Sequence, residues 1–125
     1  MVDQEDIVAA IVAAAAGGEI IGRVRLQKAA YLLQQLGLQS GFKFEYHHYG
    51  PYSRGLDNAV ADAKACGLIV ERINHRQIDG AGYSVFKARG AEFDDSVLRS
   101  LKPNKVRSLL ERFANLEEDF FIRFS

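Results

Sequence analysis

The sequence predicts a mainly helical α+β domain with one short β-hairpin. Apolar residues recur at helical spacing in several segments. Two stretches rich in β-branched and aromatic residues flank a loop rich in Asn, Asp and Gly. The length of 125 residues suits one domain, so we expect residues 1–125 to fold as a single unit. No apolar run is long enough to span a bilayer, and no membrane partner is expected.

The N-terminal part, residues 1–41, is predicted to be helical. A first helix covers about residues 3–16 and stops at Gly17-Gly18. A second helix covers about residues 22–36. The apolar positions of both helices follow helical spacing and predict the buried faces. These positions are Ile7, Ala10, Ile11 and Ala14 in the first helix, and Leu26, Ala29, Ala30, Leu33 and Leu36 in the second.

The next stretch, "FKFEYHHY" at residues 42–49, alternates in a period of two and predicts a half-buried extended segment. Gly50-Pro51 is predicted to turn the chain. Ser53 is expected to cap a third helix over residues 54–66, which ends before Gly67. The core positions of this helix are Leu56, Val60 and Ala63.

Residues 68–73 and 83–88 predict two strands joined by the polar turn. The C-terminal part, residues 91–125, predicts a helix at about 91–101 and a last helix at about 103–121, with Pro103 in its first turn. The apolar positions of the last helix are Val106, Leu109, Leu110, Phe113, Leu116 and Phe120.

The order of elements resembles a winged-helix domain. In that fold a helix ends at a Gly-Leu-Ile step, and the hairpin that follows is the wing. Residues 53–90 carry this resemblance, and we assign residues 42–90 as the winged-helix-like part. It implies an α+β fold in which the wing is flanked by N- and C-terminal helices.

Three motifs in order, "RLQKAAYLLQQLG", "YGPYS" and "GLI", resemble the YwgA-like uncharacterised prokaryotic proteins, which are related to the Panacea or SocA-like domain. Panacea-like domains occur as antitoxins that neutralise toxins by direct contact, so the resemblance implies a protein-binding regulatory or antitoxin-like role. Tyr52-Ser53 and the absence of tryptophan favour the YwgA-like branch. The matching positions are Leu26, Gln27, Lys28, Tyr31, Tyr49, Gly50, Pro51, Tyr52 and Ser53.

Candidate catalytic groups do not form a recognisable constellation. His47 and His48 are adjacent on an extended segment, so their side chains are expected to point to opposite faces and not to share a metal ion. Cys66 is the only cysteine, which excludes an internal disulfide and favours the reducing cytoplasm. Cys66 is expected to be a small core residue. We therefore predict that the protein is not an enzyme and uses no cofactor or metal.

Macromolecular recognition remains, and a protein partner, toxin-like or regulatory, is the first hypothesis. Tyr and Arg are favoured in contact hot spots. The alternative is that Tyr46 and Tyr49 pack their rings between helices. The candidate contact residues are Tyr46, Tyr49, Tyr52, Arg54 and Lys28.

Nucleic-acid binding is the second hypothesis. The basic residues of the wing suit phosphate contact, whereas Asp57 and Asp62 in the third helix would be repelled by phosphate. The formal net charge of zero also argues against a dedicated nucleic-acid binder. The candidates are Arg72, His75, Arg76 and Lys87.

The chain ends in an aromatic tail, "FFIRF", at residues 120–124. Exposed aromatic groups are a liability unless they fold back on the core or pair with another chain. We therefore predict a homodimer through the C-terminal helix.

Overall fold

Helices alternate with short strands along the chain. The computed structural model describes residues 3–48, 50–89, 106 and 108–112. The helices are α1 (Gln4–Ala14), α2 (Arg23–Gln35) and α3 (Arg54–Ala65), with a 3-10 turn at Ala16–Gly18. The strands are β1 (Glu19–Ile21), β2 (Glu45–His47), β3 (Gly50–Tyr52), β4 (Ile69–His75) and β5 (Gly82–Ala88). The mixed α+β class is thus confirmed.

Helix α1 is buried on more than one face because it packs against both α3 and β5. Asp3 is its N-cap residue without a side-chain capping bond, and Glu5 and Asp6 in the first turn complement the helix dipole. The helix ends two residues before the expected Ala16, and the chain tightens into the 3-10 turn. Its buried residues are Ile7, Val8, Ala10, Ile11, Val12 and Ala14.

Helix α2 buries the predicted stripe except at its last position. Leu36 is exposed because it is the C-cap residue and the chain leaves the helix there, through Gly37 with a φ of 115°. The prediction that Leu36 is a core residue is therefore wrong. Gln27, a polar residue, is buried instead. The stripe consists of Leu26, Ala29, Ala30 and Leu33.

Strand β1 was not expected from the sequence. Its three residues, between two glycines that bend the chain, are too few to show a period of two. They pair antiparallel with β5, so that Ile20 lies opposite Phe86. The sheet order is β1-β5-β4.

Strands β2 and β3 form a second, small hairpin. Glu45 pairs with Tyr52 and His47 with Gly50, so the chain reverses between His47 and Gly50. The prediction that Gly50-Pro51 turns the chain is wrong, because both residues lie in the returning strand. Gly50 takes a φ of 111°, which favours glycine.

The third helix and the long hairpin confirm the sequence patterns. Ser53 caps α3, Gly67 ends it with a φ of 74°, and β4 pairs antiparallel with β5. Cys66 corrects one expectation: it is the C-cap residue of α3 and is exposed, so it is not part of the core.

One cluster of buried apolar residues joins α1, α2, α3 and the sheet. Val106 and Leu110 belong to the same cluster, and helix is present at residues 106 and 108–112. The predicted helix at residues 91–101, the aromatic positions Phe113 and Phe120 and the tail lie outside the described residues. In the part of the chain that the structure describes, no helix combines the length and apolar character needed to cross a membrane.

Candidate functional site

Gln27 is the residue that joins α2 to the start of α3. Its Nε2 donates to the carbonyl oxygen of Ser53 at 3.0 Å and to Asp57 Oδ1 at 3.1 Å, and its Oε1 accepts the Ser53 N–H at 2.7 Å. The side chain is 5% exposed. The amide therefore satisfies the buried Ser53 N–H and is a second donor to the Ser53 carbonyl oxygen, which also accepts the Asp57 N–H at 3.2 Å.

The two residues that open α3 complete this network. Ser53 is fully buried, and its Oγ accepts the Leu56 N–H at 3.2 Å as an N-cap. The Tyr52 hydroxyl donates to Asp57 Oδ2 at 2.6 Å. This hydrogen bond is the main reason why the pKa of Tyr52 is raised above its ordinary value. We call Gln27, Tyr52, Ser53 and Asp57 the α2–α3 junction.

A second glutamine of α2 holds the loop that leads into β2. Gln34 Nε2 donates to the Phe42 carbonyl at 3.0 Å, and its Oε1 accepts from Ser40 Oγ. Gln27 and Gln34 are seven residues apart and so lie on one side of the helix. This spacing could have indicated that both glutamines face the same neighbouring segment. A search for apolar residues at helical spacing does not detect it, because glutamine is polar.

The β2–β3 hairpin separates the predicted contact tyrosines. Tyr46 lies opposite Pro51 on one face and is 83% exposed, whereas Tyr52 lies on the other face with Glu45 and His47. Tyr49 lies outside the described residues. The two described contact tyrosines, Tyr46 and Tyr52, therefore do not form one patch.

The remaining two contact candidates lie on either side of this hairpin. Arg54 is exposed in the first turn of α3. Lys28 is half-buried on α2, and its Cε would lie 3.5 Å from a Cβ placed on Gly50. The aliphatic stem of Lys28 therefore supports the returning strand.

A groove of about 660 Å³ opens on the Tyr52 face of the hairpin, and we call it the hairpin groove. The His47 ring packs against the Tyr52 ring with centroids 4.7 Å apart and planes inclined by 35°. Glu45 Oε2 lies 3.5 Å from His47 Nε2. The polar and aromatic lining consists of Gln4, Phe42, Lys43, Glu45, His47, Tyr52, Arg54 and Asn58.

Glu71 anchors the sheet to both neighbouring helices. Its carboxylate accepts from Lys64 Nζ at 2.6 Å, from Ser84 Oγ at 2.5 Å and from Arg23 at 3.0 Å. Burial by itself raises the pKa of Glu71, but the bonds from Lys64, Ser84 and Arg23 outweigh it and lower the pKa to about 2. Sequence patterns gave no sign of this cluster because its members lie on four different elements, α2, α3, β4 and β5.

The wing candidates do not form one surface. Arg72 lies opposite Val85 and Lys87 opposite Val70, so alternation places both cations on the face of the sheet turned away from Glu71. We call this face the outer face. His75 lies opposite Gly82, on the face that carries Glu71.

Arg76 follows β4 in the turn at the β4–β5 tip. It forms an ion pair with Asp79 at 2.8 Å. His75 Nδ1 lies 3.1 Å from the Gly80 carbonyl oxygen. The structure therefore brings Arg72 and Lys87 together and places His75 and Arg76 elsewhere.

Metal-ligand geometry is absent from the part of the chain that the structure describes, where no three His, Cys, Asp or Glu side chains converge on one point. His47 packs on Tyr52, and His75 lies at the β4–β5 tip.

Comparison with known proteins gives two relatives of modest identity. The chain is 37% identical over 54 residues to the uncharacterised protein YwgA of Bacillus subtilis (strain 168), covering 43% of this chain and 32% of the relative. This match supports a YwgA-like family. The chain is 31% identical over 81 residues to a DNA ADP-ribosyl glycohydrolase of Thermus aquaticus, covering 65% of this chain and 21% of the relative.

The matched segments thus span about a third and about a fifth of these two relatives. No family model matches the chain. No solved structure matches it either.

Proposed function

We propose that this chain is a non-enzymatic recognition protein that contacts a protein partner through the β2–β3 hairpin and the start of α3. The observation that carries the proposal is Tyr46, a large aromatic side chain that is 83% exposed on a hairpin held in place by α2. An exposed aromatic ring on a rigid support costs little entropy on binding. The exposed Arg54 supplies the second side-chain type favoured in contact hot spots.

The proposed fold is winged-helix-like. In its support, α2 and α3 are followed by the β4–β5 hairpin, and β1 adds a third strand to that hairpin. The segment between α2 and α3 is longer than an ordinary helix-turn-helix turn and contains the β2–β3 hairpin. This insertion supplies the proposed contact surface.

A relation to the Panacea or SocA-like domain, and with it an antitoxin-like role, is the finer form of the proposal. The motifs behind that resemblance meet in the α2–α3 junction, where Gln27 binds Ser53 and Tyr52 binds Asp57. Because these side chains hold one another, their role is to position the hairpin. By its name, the Thermus aquaticus relative acts on ADP-ribosylated DNA, and we propose that its matched segment serves recognition in that larger protein.

The test is site-specific photo-crosslinking in the cells that encode the protein. A benzophenone amino acid at position 46 should give an adduct with one defined protein, and the same group at position 78 should not. Ile78 is the matched control because it is 87% exposed at the β4–β5 tip. Excess unlabelled wild-type protein should compete, and the Tyr46→Ala variant should compete about tenfold less well. Equal adducts from both positions would contradict the proposal.

Nucleic-acid binding by the outer face is the second candidate function. It is favoured by the placement of Arg72 and Lys87 on one face of the sheet. The variant Arg72→Gln/Lys87→Gln should make about two fewer phosphate contacts. The slope of the logarithm of the DNA-binding constant against the logarithm of the salt concentration should therefore become shallower by about two contacts' worth of released counterions. Arg89→Gln, which removes an exposed cation just beyond β5, is the control. A salt dependence that is unchanged in the double variant would rule out this face.

A further inference from the structure

The hairpin groove is lined by two cations, Lys43 and Arg54, and by one carboxylate, Glu45. Among the described residues, neither Lys43 nor Arg54 forms an ion pair. Both side chains are exposed and line the groove. The nearby Asp57 already accepts from Tyr52 and Gln27. The groove therefore offers positive charge to a ligand.

The groove also offers a stacking surface. The tilted His47–Tyr52 ring pair lies in its wall, and 49% of the His47 side chain remains exposed. The Tyr52 ring is fixed because its hydroxyl is bound by Asp57. Aromatic side chains held in this way stack on planar bases with little regard to sequence.

The size of the groove completes the description of its ligand. A volume of about 660 Å³ is within the range of small-molecule sites, and the groove is open to solvent on one side. Asn58, in the same lining, supplies an amide that can both donate and accept hydrogen bonds. Flat protein contacts do not need such a concave surface.

We propose that the hairpin groove binds a nucleotide, with its base stacked on the His47–Tyr52 pair and its phosphate held by Lys43 and Arg54. The nucleotide is either a free mononucleotide or part of a single-stranded nucleic acid. This site shares Arg54 with the proposed protein contact, but Tyr46 lies on the opposite face of the hairpin.

The test is calorimetric titration of the full chain with four probes: adenosine monophosphate, a short oligothymidylate, inorganic phosphate and an oligoglutamate. Saturable binding of adenosine monophosphate that the oligomer does not exceed assigns a free nucleotide. Much tighter binding of the oligomer, with a steep salt dependence, assigns a single strand. Inorganic phosphate binding as tightly as adenosine monophosphate would refute the stacking role. Failure of both nucleotide probes overturns the proposal, and binding of oligoglutamate alone would assign the groove to an acidic protein segment.

Variants locate the site. Lys43→Ala/Arg54→Ala should weaken nucleotide binding at least about tenfold, as expected for lost charge-assisted contacts. The matched control Arg89→Ala/Arg112→Ala, at two exposed cations that do not line the groove, should leave it unchanged. Equal weakening by both pairs would overturn the proposal.

Two further positions separate stacking from charge. His47→Ala should weaken binding about tenfold, and His47→Phe should restore it because the ring is retained. Glu45→Gln should tighten binding a few-fold, since a carboxylate beside the phosphate is removed. A Tyr46→Ala variant that competes poorly for the protein adduct and still binds the nucleotide would separate the two proposals.

Discussion

The α2–α3 junction and the β4–β5 tip contain similar hydrogen bonds in opposite settings. In the junction, buried or half-buried groups are joined across 26 and 30 residues of sequence by Gln27. At the tip, exposed groups are joined across three residues by Arg76 and Asp79, and across two by Asp79 and Ala81. The junction therefore forms only when the helices pack, whereas the tip can form locally.

This difference predicts very unequal energetic weights. A buried donor that loses its partner is left without water, so its full desolvation cost appears in the free energy of unfolding. An exposed group that loses its partner is solvated instead. The comparison can be tested by removing one interaction at a time and measuring unfolding in denaturant.

The largest effect is expected at Gln27. Gln27→Met keeps the length of the side chain but removes the acceptor of the buried Ser53 N–H and one of the two donors to the Ser53 carbonyl oxygen, which keeps the Asp57 N–H. We expect a loss of about 2 to 4 kcal/mol in the free energy of unfolding. Gln35→Met is the matched control, because Gln35 is exposed on the same helix and should change stability by less than about 0.5 kcal/mol. Equal losses from the two variants would show that the junction does not stabilise the fold.

The next effect is expected at Glu71, which links both helices to the sheet. Its pKa is depressed from 4.5 to about 2, so its contribution is complete above the unfolded value and is lost as pH falls from about 5 to about 2. Each pKa unit corresponds to about 1.4 kcal/mol. Because Lys64 and Arg23 are partly exposed to solvent, screening reduces the total, and we expect ionised Glu71 to contribute about 2 kcal/mol to the free energy of unfolding.

Glu71→Gln tests this expectation, because the amide keeps the shape but cannot ionise. The variant should be about 2 kcal/mol less stable than wild type at neutral pH, and the difference should shrink towards low pH. Glu45→Gln is the control at an exposed carboxylate. A difference between wild type and Glu71→Gln that stays constant down to low pH would mean that ionisation of Glu71 does not stabilise the protein.

A smaller effect is expected at Ser53. Ser53→Ala removes the cap of α3 but leaves both backbone bonds to Gln27, so the loss should be about 1 kcal/mol. Asn58→Ala, at an exposed site on the same helix, should be neutral or slightly stabilising. If Ser53→Ala matched Gln27→Met in its effect, the hydroxyl would have a role beyond capping.

The sequence predicted the elements that local patterns determine. Helix α3 and the β4–β5 hairpin have strong periodicity, a cap residue and a polar turn, and they were found where expected. Strand β1 was not predicted because three residues are too few to show an alternating pattern. It forms through pairing with β5. Gly50-Pro51 is a strong turn signal in isolation, yet pairing of β2 with β3 moves the turn to the preceding residues.

The candidate site was less predictable than the fold. Tyr52 and Arg54 were identified from residue type, but the hairpin groove depends on segments that meet only in the folded chain. Gln27 was visible in the motif, whereas its burial runs against the usual preference of glutamine for the surface. Buried polar residues of this kind can be identified only from the folded structure, because their hydrogen-bond partners are distant in sequence.

The smallest effect is expected at the β4–β5 tip. Ile78 is 87% exposed and contributes to no apolar cluster among the described residues, so Ile78→Ser should change the free energy of unfolding by less than about 0.5 kcal/mol. Hydrogen exchange should show the tip opening more readily than the junction, because its bonds are local and solvated. A loss above about 1 kcal/mol in Ile78→Ser would mean that the tip is held by a tertiary or intermolecular contact. The contrast between a locally formed tip and a tertiary junction would then fail.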